Sequence, residues 1–373
     1  MSEQVTQRKA EHVSVALQQD VAAPQEASWA DVRLVHRALP EVDLDEIDTG
    51  VELLGHRLRH PVFVSSLTGG HPDVAGINAQ LAALAEEYGL AMGVGSQRAG
   101  LADAALAGTY GVARERAPHA LLIANIGAPQ LIAQHGKPPF TVADARRAVE
   151  MIGAGALAVH LNFLQEAAQP EGDRNARGCL AALRTLTAAV GVPVIAKETG
   201  AGVSFEQARA LAAAGVSAID VGGAGGSSMA AMESHRAASR GDTRTAGIGQ
   251  LFREWGIATP IAVVEAAQGA PALPLIATGG VRSGLDAARA LTLGARLVGM
   301  GFPFLKAASE GEEALRAFME QFIAELKVAM QLSGASTIPA LAGVPAVVTG
   351  ATREWLELRG FGRVLRRLAR RGM

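Results

Sequence analysis

From residue 61 onward, short apolar runs alternate with longer segments whose apolar positions recur every three to four residues. The runs PVFVSS, LAMGVG, ALLIANIG, ALAVHLN, VPVIAKE, SAIDVGG, LPLIATGG and RLVGMG predict eight strands. Helices are expected over 73–88, 102–117, 141–153, 177–190 and 204–214, within a long segment ending near 269, and over 283–293 and 309–333. Strands that are apolar on both faces belong to a parallel sheet covered by helices. Eight such units favour closure into a barrel over an open, doubly wound sheet. The expected fold is α/β, a (β/α)₈ TIM barrel over 61–335, with an N-terminal extension over 1–60 and a C-terminal extension over 336–373 in the same domain. In the N-terminal extension, VELLG followed by HRLRH suggests a small hairpin across the barrel bottom, or an arm. The glycine-rich stretch 222–256 is longer than a strand-to-helix loop needs and reads as a lid.

Composition narrows the function classes. The 34 basic and 36 acidic residues nearly cancel, so no global field draws nucleic acid or an anionic membrane, and any anion must be held locally. A single cysteine, Cys179 at the start of an expected helix, excludes an internal disulfide framework and Cys-rich metal sites. The first 30 residues lack the apolar core of a signal peptide, and no run of about 18 apolar residues occurs. A soluble, cytoplasmic protein is expected. Six arginines between Arg359 and Arg371 read as a solvated or subunit-facing surface.

In such barrels the chemistry sits at the carboxyl ends of the strands. Polar and glycine residues cluster there: Ser65 to Gly70, Gly95 to Arg98, Asn125, His160 to Asn162, Lys197 and Glu198, Gly222 to Ser227, Thr278 to Arg282, and Gly299 to Gly301. Gly279, Gly280, Met300 and Gly301 follow the seventh and eighth strands, the usual place for a phosphate held by backbone N–H groups and a helix N-terminus, with Arg282 able to add charge. Alternation along ALAVHLN points Ala158, His160 and Asn162 into the mouth and Leu157, Val159 and Leu161 away from it. Glu166, in the loop that follows, suits a hard cation such as Mg²⁺ that shares substrate phosphate oxygens. Lys197 ends the fifth strand facing inward and needs an anion to offset its desolvation, either a bound ligand or a carboxylate such as Asp220.

These strand ends, together with Arg8-Lys9-Ala10-Glu11-His12, His160-Leu161-Asn162-Phe163-Leu164-Gln165-Glu166, Gln169-Pro170-Glu171-Gly172-Asp173 and the C-terminal Thr349-Gly350 and Arg353-Glu354-Trp355, resemble the type 2 isopentenyl diphosphate isomerases, which are FMN-dependent barrels. The motifs span nearly the whole chain in order. The resemblance implies that Thr68, Gly69, Gly70, Ser96, Asn125, Lys197 and Ser227 contact FMN, with Gly279, Gly280, Arg282, Met300 and Gly301 near its phosphate. It implies that Arg8, Lys9, Gln97, Arg98, His160 and Asn162 hold the substrate diphosphate, that His12 and Ser96 also bind the substrate, that Gln165 faces its carbon chain and that Glu166 holds Mg²⁺. Gln165, Lys197 and His160 are then the catalytic candidates, and residues 1–60 contribute to the substrate site. Two positions depart from the family pattern: Ser227 stands where Thr is common, and Met229 where Trp is usual.

By the same resemblance, the expected reaction interconverts isopentenyl and dimethylallyl diphosphate by a 1,3-proton shift. It would use reduced FMN, with NADPH as reductant, in a homo-oligomeric tetramer or octamer. No ordinary side chain readily protonates a simple alkene, which is where a reduced flavin helps. The main alternative is an FMN-dependent oxidoreductase of the 2-hydroxy acid oxidase or inosinate dehydrogenase type, and a flavin-bearing sensor or prenyl-phosphate carrier is a third reading. No inward Arg and His pair follows the seventh or eighth strand to take a carboxylate substrate.

Overall fold

Eight short strands close on themselves in a computed structural model that describes residues 11–22 and 28–373. They are β1 (Val62–Val64), β2 (Ala91–Gly93), β3 (Leu121–Gly127), β4 (Ala156–His160), β5 (Val194–Lys197), β6 (Ala218–Asp220), β7 (Leu275–Thr278) and β8 (Leu297–Met300). Every pairing is parallel, and β8 closes the ring by pairing with β1 through Val298 opposite Val62. The period of two separates two cores. Ala156, Ala158, Phe63, Ile123, Ile195 and Ile276 fill the barrel interior. Leu157 and Val159 pack outward with the helices. His160 continues the inward face of β4, and the register sets it beside Lys197, which in turn sits beside Asp220.

The barrel bottom is closed by the expected hairpin. Val51–Leu53 pairs antiparallel with His56–Leu58, and Val51, Leu53 and Leu58 complete the inner core. Its two-residue turn, Leu54 and Gly55, has positive φ at both positions (51° and 82°), which matches the twist of the flanking strands.

Two expected helices are broken. The stretch expected over 102–117 is a helix over Arg98–Ala102, a 3₁₀ turn over Ala104–Leu106 and a helix over Gly108–Arg116. The last expected helix begins earlier and is split into Phe302–Glu310 and Glu312–Ser333 at Gly311, whose φ of 113° no ordinary helical residue adopts. The 222–256 stretch contains the helices Met229–Ser239 and Thr243–Leu251. A helix over 11–18 packs across the first of these, burying Ala16 and Val21 against Met232 and Leu305, with Met229 alongside. Met229 therefore supplies apolar packing beneath the N-terminal helix.

The described parts of both extensions pack against the barrel. The strand Val32–Leu34 pairs antiparallel with Ala346–Val348. Wholly buried Glu265 accepts hydrogen bonds from Phe205 N (2.9 Å), Trp355 Nε1 (3.0 Å) and Arg359 Nε (3.2 Å), fastening the C-terminal helices to the barrel wall. Arg359 also forks onto Glu206, and Arg371 donates to Thr292 O at 2.8 Å, so two of the six terminal arginines are structural. Arg363, Arg366, Arg367 and Arg370 are exposed. No helix among the described residues is long and apolar enough to cross a membrane.

Candidate active site

A cavity of about 870 Å³ opens at the carboxyl ends of the strands, roofed by the 11–22 segment and the Met229–Ser239 helix. On one side lie Thr278, Gly279, Gly280, Val281 and Arg282 after β7, and Met300 and Gly301 after β8. The Phe302–Glu310 helix begins immediately beyond Gly301, so its N-terminus faces the cavity. Gly279 has a φ of 123°, and a Cβ there would lie 2.2 Å from Gly223 O; no larger residue fits. The exposed Arg282 turns toward the β6 loop, donating to Gly225 O at 3.3 Å.

The ends of β1 to β3 form the floor and the adjacent wall. Ser65, Ser66, Thr68, Ser96 and Asn125 line it. Thr68 is held by Asn78 at 2.6 Å, and Asn125 Oδ1 contacts His160 Nδ1 at 2.8 Å. Gly69, Gly70 and Gln97 are buried beside this wall and are not among the residues that line the cavity. Gly69 and Gly70 pack under Tyr110, where a Cβ on Gly69 would meet the ring at 2.2 Å. Gln97 is wholly buried; it donates to Ala148 O and accepts from Asn125 N, both at 2.8 Å. The turn into the Arg98–Ala102 helix sends Gln97 inward and Arg98 toward the cavity.

Lys197 and Asp220 meet at 2.8 Å, both buried. Of the two partners considered for Lys197, the carboxylate is present, and Lys197 still lines the cavity. Next to it, Glu198 accepts from the backbone N–H groups of Gly200 (2.7 Å), Ala201 (2.5 Å) and Gly202 (3.0 Å), which shapes the loop on that wall. Burial pushes its carboxyl up to about 7, and those N–H groups limit the rise.

The segment after β4 supplies the densest polar cluster. Asn162 immediately precedes the short Phe163–Ala167 helix, and its Nδ2 donates to Glu166 Oε1 at 3.1 Å. Glu166 Oε2 accepts from Gln169 Nε2 (2.6 Å) and Asp173 N (2.7 Å). Asp173 gathers Arg98 and Lys137 at 2.8 Å each, with Gln130 Nε2 also at 2.8 Å. Burial raises the Asp173 carboxyl, but these cations and the amide lower it further, so it lies below its ordinary range. Arg98 is thereby aimed at the same corner as His160, Asn162 and Glu166.

Gln165 donates to Glu233 Oε1 at 2.8 Å, and His12 Nε2 reaches the same oxygen at 2.9 Å. Glu233 is wholly buried and paired with Arg236. Burial would raise its carboxyl; the His12 hydrogen bond, the Arg236 charge and Gln165 outweigh that and hold it at about 2. Sequence reading missed Glu233, Arg236, Lys137 and Gln130. The i, i+3 pair of Glu233 and Arg236 in the alanine-rich MAAMESHRAAS was the available signal, since such a helix offers little else to bury a charge against. Arg8 and Lys9 lie outside the described residues.

Among unsatisfied groups of the described residues, Ser65 Oγ, Ser66 Oγ, Asn162 Oδ1 and Thr278 Oγ1 are buried at the cavity without a hydrogen-bond partner. Such groups are costly unless a ligand or water meets them. No cluster of three or more His, Cys, Asp or Glu side chains suited to a metal occurs among the described residues.

Residues 162–345 match the family model of FMN-dependent dehydrogenases. Over nearly full length the chain is 49% identical to an isopentenyl-diphosphate delta-isomerase of Methanoregula boonei, covering 94% of this chain and 96% of that one. It is 46% identical to that of Methanosarcina barkeri (95% of each chain) and 47% identical to that of Halobacterium salinarum (96% and 98%). Among solved structures, a lactate oxidase from Pediococcus acidilactici superposes with a TM-score of 0.63 at 17% identity (94% and 93% covered). A mandelate oxidase variant carrying a monooxide FMN adduct does so with a TM-score of 0.58 at 19% identity (91% and 92%), and these two share the barrel fold.

Proposed function

Because the chain belongs to the isopentenyl-diphosphate delta-isomerase family, we propose that it interconverts isopentenyl and dimethylallyl diphosphate by a 1,3-proton shift, using reduced FMN and Mg²⁺. The observation that carries the reading is the division of one cavity. Glycine strand ends and a helix N-terminus lie on one side, and Arg98, His160, Asn162, Gln165 and Glu166 gather on another. The first arrangement suits the phosphate of a flavin mononucleotide and the second a diphosphate.

The residues present fit FMN. Ser65, Ser66 and Thr278, whose hydroxyls lack a protein partner, are among the residues that line the cavity, and its volume of about 870 Å³ accommodates a nucleotide and a small substrate together. Thr68, Ser96, Asn125, Lys197 and Ser227 would line the ring, and Gly279, Gly280, Arg282, Met300 and Gly301 the phosphate. Reduced FMN, when bound, supplies acid–base chemistry and negative charge beside the developing tertiary cation.

The protein's part is positioning and charge. Lys197, held by Asp220, presents a desolvated ammonium that favours an anionic ring. His160 is oriented by Asn125, and Arg98 by Asp173; with Asn162, Arg8 and Lys9 they would grip the diphosphate and so locate a hydrocarbon that has no handle of its own. Glu166 offers one carboxylate, enough for Mg²⁺ when the phosphates and water complete its shell. Gln165 has its amide N–H committed to Glu233, which would hold the side chain against the carbon chain; an amide is a weak acid and base, so it would relay or orient. NADPH as reductant and a homo-oligomeric assembly rest on the family resemblance alone.

The test is anaerobic incubation of the purified protein with isopentenyl diphosphate, Mg²⁺ and dithionite-reduced FMN in D₂O. Dimethylallyl diphosphate carrying deuterium is expected. Full flavin binding without isomer, or flavin reduction by a 2-hydroxy acid, would overturn the proposal in favour of a carrier or an oxidoreductase.

A further inference from the structure

Arg236 lies outside the cavity lining, yet it is the most heavily paired cation in the described residues near it. Its side chain is 3% exposed and meets three carboxylates from three separate segments: Glu11 of the N-terminal helix (3.0 Å), Glu171 of the loop after β4 (3.2 Å), and Glu233 of its own helix. Glu233 shares its other oxygen between His12 and Gln165. Glu11 is held a second time by Arg240 at 2.8 Å. A buried guanidinium with planar, divergent N–H groups can serve three acceptors at once, which a lysine ammonium does with poorer geometry.

We propose that Arg236 is a positioning residue for the isomerisation, one that fixes Glu233 beneath Gln165 while clamping the 11–22 segment and the Gln169 to Asp173 loop over the cavity. The inference rests on the function proposed above. Its physical content is that roof closure and the orientation of Gln165 are one event. When the N-terminal helix lifts, Glu233 loses His12 and Arg236 loses Glu11 together, and the hydrogen bond that orients Gln165 loosens with them. When the helix seats, the same contacts form together. Arg236 touches neither ring nor substrate, so it acts only through Glu233, Glu11 and Glu171.

The experiment uses the full-length holoprotein with Arg236→Met, Arg236→Lys, Glu11→Gln, Glu233→Gln and the double variant Arg236→Met with Glu233→Gln. Two readouts are taken: steady-state isomerase kinetics, and amide hydrogen exchange over 11–22 with FMN bound. Arg236→Met should lower kcat about 30-fold, Arg236→Lys should recover part of that loss, and the double variant should fall no further than Glu233→Gln alone, because coupled residues are not additive. Exchange over 11–22 should rise about 10-fold in Arg236→Met and by a smaller factor in Glu11→Gln, with the barrel strands unchanged. Additive losses in the double variant, or unchanged exchange over 11–22, would overturn the proposal. If Arg236→Met does not fold, Arg236→Lys and Glu11→Gln decide the same two points. Should the wild-type protein prove not to be an isomerase, the exchange readout still tests the clamp on its own.

Discussion

Replacing Glu233 by Gln should destabilise the protein, and by an amount that depends on pH in a calculable way. The carboxyl sits at about 2 in the folded state against an ordinary 4.5, a depression of 2.5 pH units. At about 1.4 kcal/mol per unit this is ~3 kcal/mol of stability at pH 7, which agrees with the ~3–5 kcal/mol cost of removing one member of a buried ion pair. The side chain is fully buried, so solvent screening does not reduce the figure. With an unfolding entropy of about 2 cal/mol/K per residue over 373 residues, ~3 kcal/mol corresponds to a fall in Tm of about 4 °C. The sign of the pH dependence follows from the depressed value. The stabilisation is complete above the unfolded pKa and is lost as pH falls through the folded one. The gap between wild type and variant should therefore shrink from ~3 kcal/mol at pH 7 to about 2 kcal/mol at pH 3.5 and continue downward. Thermal unfolding of both proteins across pH 3.5 to 7 measures this directly. A Tm difference under about 1 °C at pH 7, or one that widens on acidification, would refute the electrostatic account of Glu233.

Three further outcomes are expected. Arg98→Ala should raise KM for isopentenyl diphosphate about 10- to 100-fold with kcat changed far less, because it removes a charge-assisted contact made equally in ground and transition states; steady-state kinetics at saturating Mg²⁺ check it. Glu166→Gln should raise the Mg²⁺ concentration needed for half-maximal activity by about 10-fold or more, read from a Mg²⁺ titration, and an unaltered titration would remove Glu166 from the metal site. Glu265→Ala strands Arg359, Trp355 and the Phe205 N–H at the C-terminal seam, so it should lower Tm by about 4 °C, equivalent to ~3 kcal/mol, while leaving KM unchanged.

Where a side chain's direction depended on strand geometry, it was legible in advance. The alternation in ALAVHLN places Ala158 in the barrel core and turns His160 to the cavity, and the same rule carries Lys197 from Ile195. The glycines after β7 and β8 were also readable, since positive φ and close backbone approach leave no other residue type at Gly279. Neighbours in sequence part company where a strand turns into a helix. Gln97 and Arg98 are neighbours in sequence, but one is buried against Ala148 and Asn125 while the other faces the cavity. Thr68, Gly69 and Gly70 divide in the same way, the first lining the site and the other two making room for Tyr110.

Periodicity and residue type, which act over a few residues, determined that this chain forms eight strand and helix units and which strand faces point inward. The partners of the charged groups were decided only by the closed barrel and its roof. Asp220 reaches Lys197 from the neighbouring strand, Asp173 collects Arg98 and Lys137 from separate segments, and Arg236 meets Glu11 across more than 200 residues of chain. A local pattern records which side chain can be charged and which way it leaves the backbone. Which opposite charge offsets its burial is set by how distant elements pack, and that information exists only in the folded chain.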